Sequence, residues 1–99
     1  MNENTTQLLE YRKSIDNLDA ALIFLLAERF RITEQVGILK KDGDLPAADP
    51  NREKKQIERL LKLSEGSELR PEFISRFMEL ITAEVKQRHT DIKNGDNIS

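Results

Sequence analysis

One apolar pattern dominates the N-terminal part of the chain and restricts what it can form. Ten positions, spaced alternately by three and four residues, carry nine apolar side chains and one arginine: Leu8, Tyr11, Ile15, Leu18, Leu22, Leu25, Arg29, Ile32, Val36 and Leu39. This spacing is the heptad repeat of helices that pack along a seam. No Pro interrupts it, so the sequence predicts a single long helix over 5–41.

Two shorter helices are expected after it, and strand signals are nearly absent. Asp49-Pro50 combines an N-cap with a first-turn Pro, Gly66 is a natural stop, and Pro71 opens the third helix. The third helix is expected to face inward with Phe73, Ile74, Phe77, Leu80, Ile81, Val85, His89 and Ile92. The expected organisation is one domain over 1–99: helix 5–41, loop 42–48, helix 49–65, helix 70–92 and a frayed tail 93–99.

The length of the first helix bears on assembly. About 35 helical residues measure roughly 50 Å, whereas a compact chain of this size has a radius of gyration of only about 13 Å. Two shorter helices cannot cover the whole seam, and 37% hydrophobic against 34% charged residues is lean in core-forming side chains. The sequence therefore predicts an all-α fold whose seam packs against its own copy, in an antiparallel or interlocked homodimer.

Composition excludes several classes of protein. There is no Cys, hence no disulfide framework and no Cys-based metal site, and no run approaches the ~20 apolar residues of a membrane span. The first residues lack the basic-then-apolar order of a signal peptide. A net charge of −2 argues against a general nucleic-acid binder, whose footprint is usually basic. We expect a cytoplasmic protein without a membrane or nucleic-acid partner.

Arg29 is the one charged side chain on the seam. Its neighbours on the same helix face are apolar or hydroxylic, so no local carboxylate neutralises it. A buried guanidinium needs an anion, either an acid of another segment or an anionic ligand held by two parallel hydrogen bonds. Lys40 lies close to the same helix face, where it either converges on such a ligand or interacts with the helix dipole.

Charged residues elsewhere are further candidates. Arg12 flanks the seam roughly 25 Å from Arg29, so the two can meet only if Arg12 comes from a second, antiparallel chain. Its ordinary alternative is a surface pair with an acid four residues on. Glu53 heads the apolar stripe of the second helix beside Asp49, where a capping or dipole role is as natural as ligand binding. Arg52 lies about 100° round the helix, and a solvated face is its alternative.

His89 is the only histidine, on the apolar face of the third helix. A lone His there is more often a packed core or rim residue than a catalyst. With no second His and no acid cluster at ligand spacing, no metal site is expected. A glycine-rich phosphate loop and a nucleophile elbow are also absent, so the sequence predicts neither a bound cofactor nor covalent catalysis.

Taken together, these segments resemble the all-helical chorismate mutases over about residues 8–92. The matching stretches are LLEYRKSIDNLD at 8–19, LLAERF at 25–30, VGILK at 36–40 and DPNRE at 49–53. Four separated basic positions and an Asp/Arg/Glu cluster match at the family's spacing, although any one of them alone would be weak.

The resemblance implies an intertwined dimer with two active sites, each built from both chains. It implies a one-step pericyclic rearrangement of chorismate to prephenate, on the route to phenylalanine and tyrosine. Arg29 and the second chain's Arg12 would bind the two carboxylates, and Lys40 would donate to the ether oxygen. The residues that would hold the ring hydroxyl side are Asp49, Arg52 and Glu53.

The third helix departs from the family's pattern at two positions. His89 stands where relatives commonly have Gln as a second donor to the ether oxygen. A neutral imidazole can donate one N–H, and an imidazolium donates more strongly. Val85 stands where some relatives have Ser, so one polar contact with the substrate is missing. Both are expected to border the substrate, and the expected catalytic residues are Arg29, Lys40, Glu53 and His89.

Two other functions stay open at this point. Isochorismate pyruvate lyase has the same fold and a similar Lys-loop-Pro segment, but it does not typically carry the acidic pair Asp49 and Glu53. A non-catalytic dimeric interaction module would gain stability from Arg29→Leu, because its seam would become uniformly apolar. A partner enzyme of the shikimate pathway is a further candidate, since short mutases of this family sometimes depend on one.

Overall fold

The structure is a computed structural model that describes residues 2–46 and 49–95. Its regular structure there is entirely helical: α1 spans Glu3–Asp42, α2 spans Pro50–Leu63 and α3 spans Pro71–Lys93. The predicted all-α fold of one long and two shorter helices is confirmed. The observed helix ends differ from the expected ones by one or two residues, as assignments of helix ends commonly do. Residues 47 and 48 of the expected loop and 96–99 of the expected tail lie outside the described residues.

The chain divides into two compact units, one up to residue 32 and one from residue 33 onward. The first unit contains only the N-terminal part of α1. Asn2 caps this helix, because its Oδ1 accepts hydrogen bonds from the Thr5 amide at 2.9 Å and the Thr5 hydroxyl at 3.0 Å. The Arg31 guanidinium donates to Glu28, which holds the pKa of Glu28 below its ordinary value and raises the pKa of Arg31.

The apolar seam of this first unit is exposed. More than two-fifths accessible to solvent are the seam residues Leu8, Tyr11, Ile15, Leu18, Leu22, Leu25 and Ile32, as are the neighbouring Leu9, Ile23 and Phe24. An isolated helix gains most of its stability from packing of its apolar face, and large exposed apolar patches mark association sites. Despite the length of α1, no helix among the described residues is apolar enough over a sufficient length to span a membrane.

The second unit packs α2 against α3 around a small core. Its buried apolar side chains are Ile74, Met78 and Ile81, which lie on one face of α3 at spacings of four and three residues. Asp49 caps α2 by accepting a hydrogen bond from the Arg52 amide at 3.1 Å, and Pro50 fills the first helical position. α2 ends at Leu63, and the turn after it places Gly66 at a φ of +82°, a conformation that favours glycine.

The inward face of α3 differs from expectation at two positions. Phe73 is 51% exposed and Leu80 is 71% exposed, whereas Met78, which was not expected to face inward, is buried and only 5% exposed. The buried stripe of Ile74 and Met78 is turned by about 100° from the neighbouring Phe73. Both stripes of α3 are apolar, so the sequence pattern alone could not choose between them. Phe73 instead stacks on Phe77, with ring centroids 5.9 Å apart.

We expect Met78→Ala to lower the free energy of unfolding by about 2–4 kcal/mol, because it opens a cavity in this small core. Urea unfolding followed by circular dichroism measures the loss. Glu79→Ala is the matched control, since Glu79 is exposed and adjacent, and its effect should stay within about 0.5 kcal/mol. An equal loss in both variants would contradict the placement of the core.

Candidate active site

The N-terminus of α2 carries three of the predicted site residues, Asp49, Arg52 and Glu53. Because Asp49 is the cap residue, Arg52 and Glu53 fall in the first helical turn. Glu53 is half-buried, and both of its carboxylate oxygens face the ammonium group of Lys86 on α3, at 3.2 and 3.4 Å. The Glu53 carboxylate is therefore held between α2 and α3, with its orientation set by a cation of another helix.

His89 is buried against the C-terminal part of α1, with only 7% of its surface exposed. Its Nε2 lies 2.7 Å from the Thr33 carbonyl oxygen. Nε2 donates this hydrogen bond, because a carbonyl oxygen only accepts. The other ring nitrogen, Nδ1, is also buried and has no hydrogen-bond partner in the described part of the chain. Val85, one turn earlier on α3, is half-buried.

Further polar contacts join the same parts of α1 and α3. Arg88 donates from Nη1 to Glu34 at 2.5 Å and from Nε to Glu84 at 2.9 Å. These hydrogen bonds, chiefly the one to Glu84, raise the pKa of Arg88 above its ordinary value. Lys41 donates to the carbonyl oxygen of Ile92 at 3.1 Å. The end of α1 is thus attached to the C-terminal half of α3 at successive turns.

The remaining candidate residues are divided between the two units of the chain. Lys40 belongs to the second unit and is half-buried near the end of α1. Arg12 and Arg29 belong to the first unit, where Arg12 is exposed and Arg29 is half-buried with its Nη1 fully buried. Asp49 already serves as a helix cap, and its contact with a substrate stays a prediction. Among residues 2–46 and 49–95, no group of three or more His, Cys, Asp or Glu side chains is placed to hold a metal ion.

Comparison with known families identifies the group of proteins to which this arrangement belongs. The family described as chorismate mutase type II matches residues 11–90. The chain belongs to this family. All candidate positions, from Arg12 to His89, lie inside the matched range, and the resemblance noted in the sequence is confirmed.

Named relatives of this chorismate mutase type II chain fall into two kinds. A bifunctional chorismate mutase/prephenate dehydratase from Escherichia coli strain K12 is 38% identical over 74 residues, which is 75% of this chain and 19% of that protein. A similarly named bifunctional protein from Aquifex aeolicus is 36% identical over 58 residues, or 59% of this chain and 16% of its own length. A chorismate mutase from Methanocaldococcus jannaschii is 39% identical over 57 residues, 58% of each chain. The chain thus spans less than a fifth of the two bifunctional relatives.

Sequence reasoning missed three features next to the candidate site residues. Lys86 lies on a polar face of α3, and only the packing of α2 on α3 brings it to Glu53. The contact of His89 with α1 uses the Thr33 carbonyl, a backbone group that no side-chain pattern reports. Gly37 lies directly against the His89 ring, and its only sign in the sequence is that it is the one glycine inside α1. A glycine within a helix lowers stability relative to Ala, so its presence is a hint of close packing.

We expect the Arg88–Glu34 pair to show a coupling energy of about 1 kcal/mol, because both side chains are less than a third exposed and the hydrogen bond is charge-assisted. A double-mutant cycle with Arg88→Gln and Glu34→Gln, measured by urea unfolding, gives this value separately from the contact with Glu84. The exposed Glu28–Arg31 pair is the control and should couple more weakly. Equal coupling in both pairs would contradict a sheltered contact between α1 and α3.

Proposed function

We propose that the chain is a chorismate mutase that rearranges chorismate to prephenate as a homodimer with two shared sites. The observation that carries this proposal is the family match over residues 11–90, which includes every candidate position. Relatives of both kinds bear the name chorismate mutase, alone or within a bifunctional protein. The cytoplasmic location and a partner enzyme of the shikimate pathway stay predictions.

Binding in a reactive conformation supplies one part of the acceleration. Chorismate is a small dicarboxylate whose flexible ether side chain must fold over its ring before it reacts. Arg29 and the second chain's Arg12 would each hold one carboxylate through two parallel hydrogen bonds. Clamping both ends converts a rare conformation of the substrate into the bound one.

Electrostatic stabilisation supplies the other part. Negative charge grows on the ether oxygen as its bond to carbon breaks, and Lys40 would donate a hydrogen bond to that atom. A millionfold acceleration needs about 8 kcal/mol, which clamping and a fixed cationic donor together can provide. No nucleophile and no metal is required by such a step.

The ring hydroxyl side would be held by the start of α2. The Glu53 carboxylate can accept a hydrogen bond from the ring hydroxyl, and its pairing with Lys86 fixes it in place before the substrate binds. Asp49 and Arg52 flank Glu53 in the same turn. Val85 would contribute an apolar wall, and His89 would border the substrate from α3.

A second copy of the chain is the partner that the first unit requires. Apart from the half-buried Arg29, its seam is apolar and exposed from Leu8 to Ile32, and a heptad seam pairs best with another helix of the same kind. A two-fold dimer would cover both copies of this seam with one self-complementary contact. It would also bring Arg12 of one chain towards the site of the other.

Incubation of the purified protein with chorismate, with prephenate measured as the product, tests the proposed function. We expect turnover, and we expect Lys40→Met and Arg29→Leu each to lower kcat/KM by about 10²–10³-fold, since the first removes the donor to the ether oxygen and the second removes a carboxylate clamp. Lys55→Met removes an exposed lysine of α2 and is the control that should keep full activity.

The same assay separates the alternatives. Loss of isochorismate with release of pyruvate, without loss of chorismate, would favour the lyase. Absence of both reactions, together with a dimer stabilised by Arg29→Leu, would favour the interaction module. Sedimentation of each variant shows whether the dimer persists, so that a loss of activity is not mistaken for a loss of assembly.

Mixing two inactive variants tests the shared site. In a mixed dimer, Arg12→Ala of one chain and Lys40→Met of the other fall in the same site, so the second site keeps both residues. Random exchange makes about half of the dimers mixed, so recovered activity should approach roughly a quarter of the wild-type level. Arg29→Leu mixed with Lys40→Met is the control, because both residues serve the same chain's site and no intact site can form. No recovery in the first mixture after proven exchange would contradict a site built from two chains.

A further inference from the structure

The buried ring of His89 lies in a seat formed by two backbone features of α1, the carbonyl group of Thr33 and the bare Cα of Gly37. The Thr33 oxygen is 2.7 Å from Nε2. Gly37 is buried, and the ring lies directly over it. We call this arrangement the His89 seat.

The hydrogen bond to Thr33 determines where the proton of the neutral ring resides. A carbonyl oxygen has no proton to give, so Nε2 must carry the N–H. In a neutral imidazole only one nitrogen is protonated, and the hydrogen bond made by one nitrogen sets the state of the other. Nδ1 then holds a lone pair and is an acceptor. Turning the ring over would bring a carbon to the carbonyl and lose the bond.

The His89 ring can lie this close to α1 because Gly37 has no side chain. A Cβ built on Gly37 would lie 2.6 Å from Cδ2, 3.1 Å from Nε2 and 3.3 Å from Cγ of His89. A separation of 2.6 Å is far inside van der Waals contact, so any other residue at 37 would displace the ring from α1. The displaced ring would lose its hydrogen bond with Thr33.

We propose that Gly37 is a positioning residue that, with the Thr33 carbonyl, holds His89 as the Nε2–H tautomer and leaves Nδ1 as an acceptor. A molecule that meets the neutral His89 ring must then offer it an O–H or N–H group. An ether oxygen can meet Nδ1 only when the ring is doubly protonated. This last consequence rests on the function proposed above, and it leaves Lys40 as the donor to the ether oxygen whenever His89 is neutral.

Long-range proton–nitrogen correlation spectra of the untagged, ¹⁵N-histidine-labelled chain test the tautomer directly. The chain has a single histidine, so one set of ring signals reports on it. Measured at a pH where the ring is neutral, the pattern should be that of a protonated Nε2 and an unprotonated Nδ1. A protonated Nδ1, or a mixture of tautomers close to that of free histidine, would overturn the proposal.

Gly37→Ala tests the seat with the same spectrum and with thermal unfolding. In the presence of His89 it should lower the Tm and shift the ring towards a mixture of tautomers. In a His89→Ala background the ring is absent, so Gly37→Ala should leave the Tm unchanged or raise it, since Ala is the better helix former. Equal losses of Tm in both backgrounds, or failure of both chains to fold, would overturn the seat because something other than the ring would then exclude Ala.

These measurements are independent of catalysis. The spectra and the unfolding cycle need no substrate, so a protein that fails to convert chorismate can still show the Nε2–H tautomer. Conversely, an active enzyme whose His89 is protonated on Nδ1 would keep the proposed function and refute the seat.

Discussion

The exposed apolar seam of α1 is the constraint on which the proposed assembly and chemistry both depend. A helix stabilises itself poorly in water unless one face is packed, and the part of α1 up to residue 32 leaves its apolar side chains open to solvent. In the proposed dimer, a second chain with the same seam would satisfy this requirement by symmetry. Because Arg12 and Arg29 are carried on that same segment, the contact that would complete the core would also deliver the proposed carboxylate-binding groups.

In the second unit the rotation of α3 about its own axis controls several polar contacts at once. His89 meets Thr33 and Arg88 meets Glu34 on α1, while Lys86 meets Glu53 on α2. A turn of α3 by one residue, about 100°, would remove all three contacts. Apolar residues occupy more than one stripe of α3 and cannot by themselves fix this rotation. The polar pairs therefore define the rotation of α3 that would turn Val85 and His89 towards the proposed site.

The sequence was sufficient to predict the three helices but not to predict the contacts between them. Pro50 and Pro71 mark the starts of α2 and α3 because proline is tolerated only in the first turn of a helix, a local rule that needs no tertiary knowledge. The choice of Met78 over Leu80 for the core depended on how α3 lies against its neighbours. The seat of His89 depended on a backbone carbonyl and a missing Cβ, neither of which leaves a periodic trace in the sequence.

The placement of the candidate residues suits a reaction that needs positioning more than reactive groups. Arg12, Arg29, Lys40, Glu53 and His89 all lie on helices, and helical residues hold a given geometry more closely than loop residues do. Several are also supported by a second group, as Glu53 is by Lys86 and His89 by Thr33. Donors that are already in place reorganise little as charge develops on the substrate, which is where an enzyme without a nucleophile gains its rate. The proposed seat at Gly37 follows the same logic, since a ring that cannot shift would keep one tautomer, with Nδ1 as the acceptor.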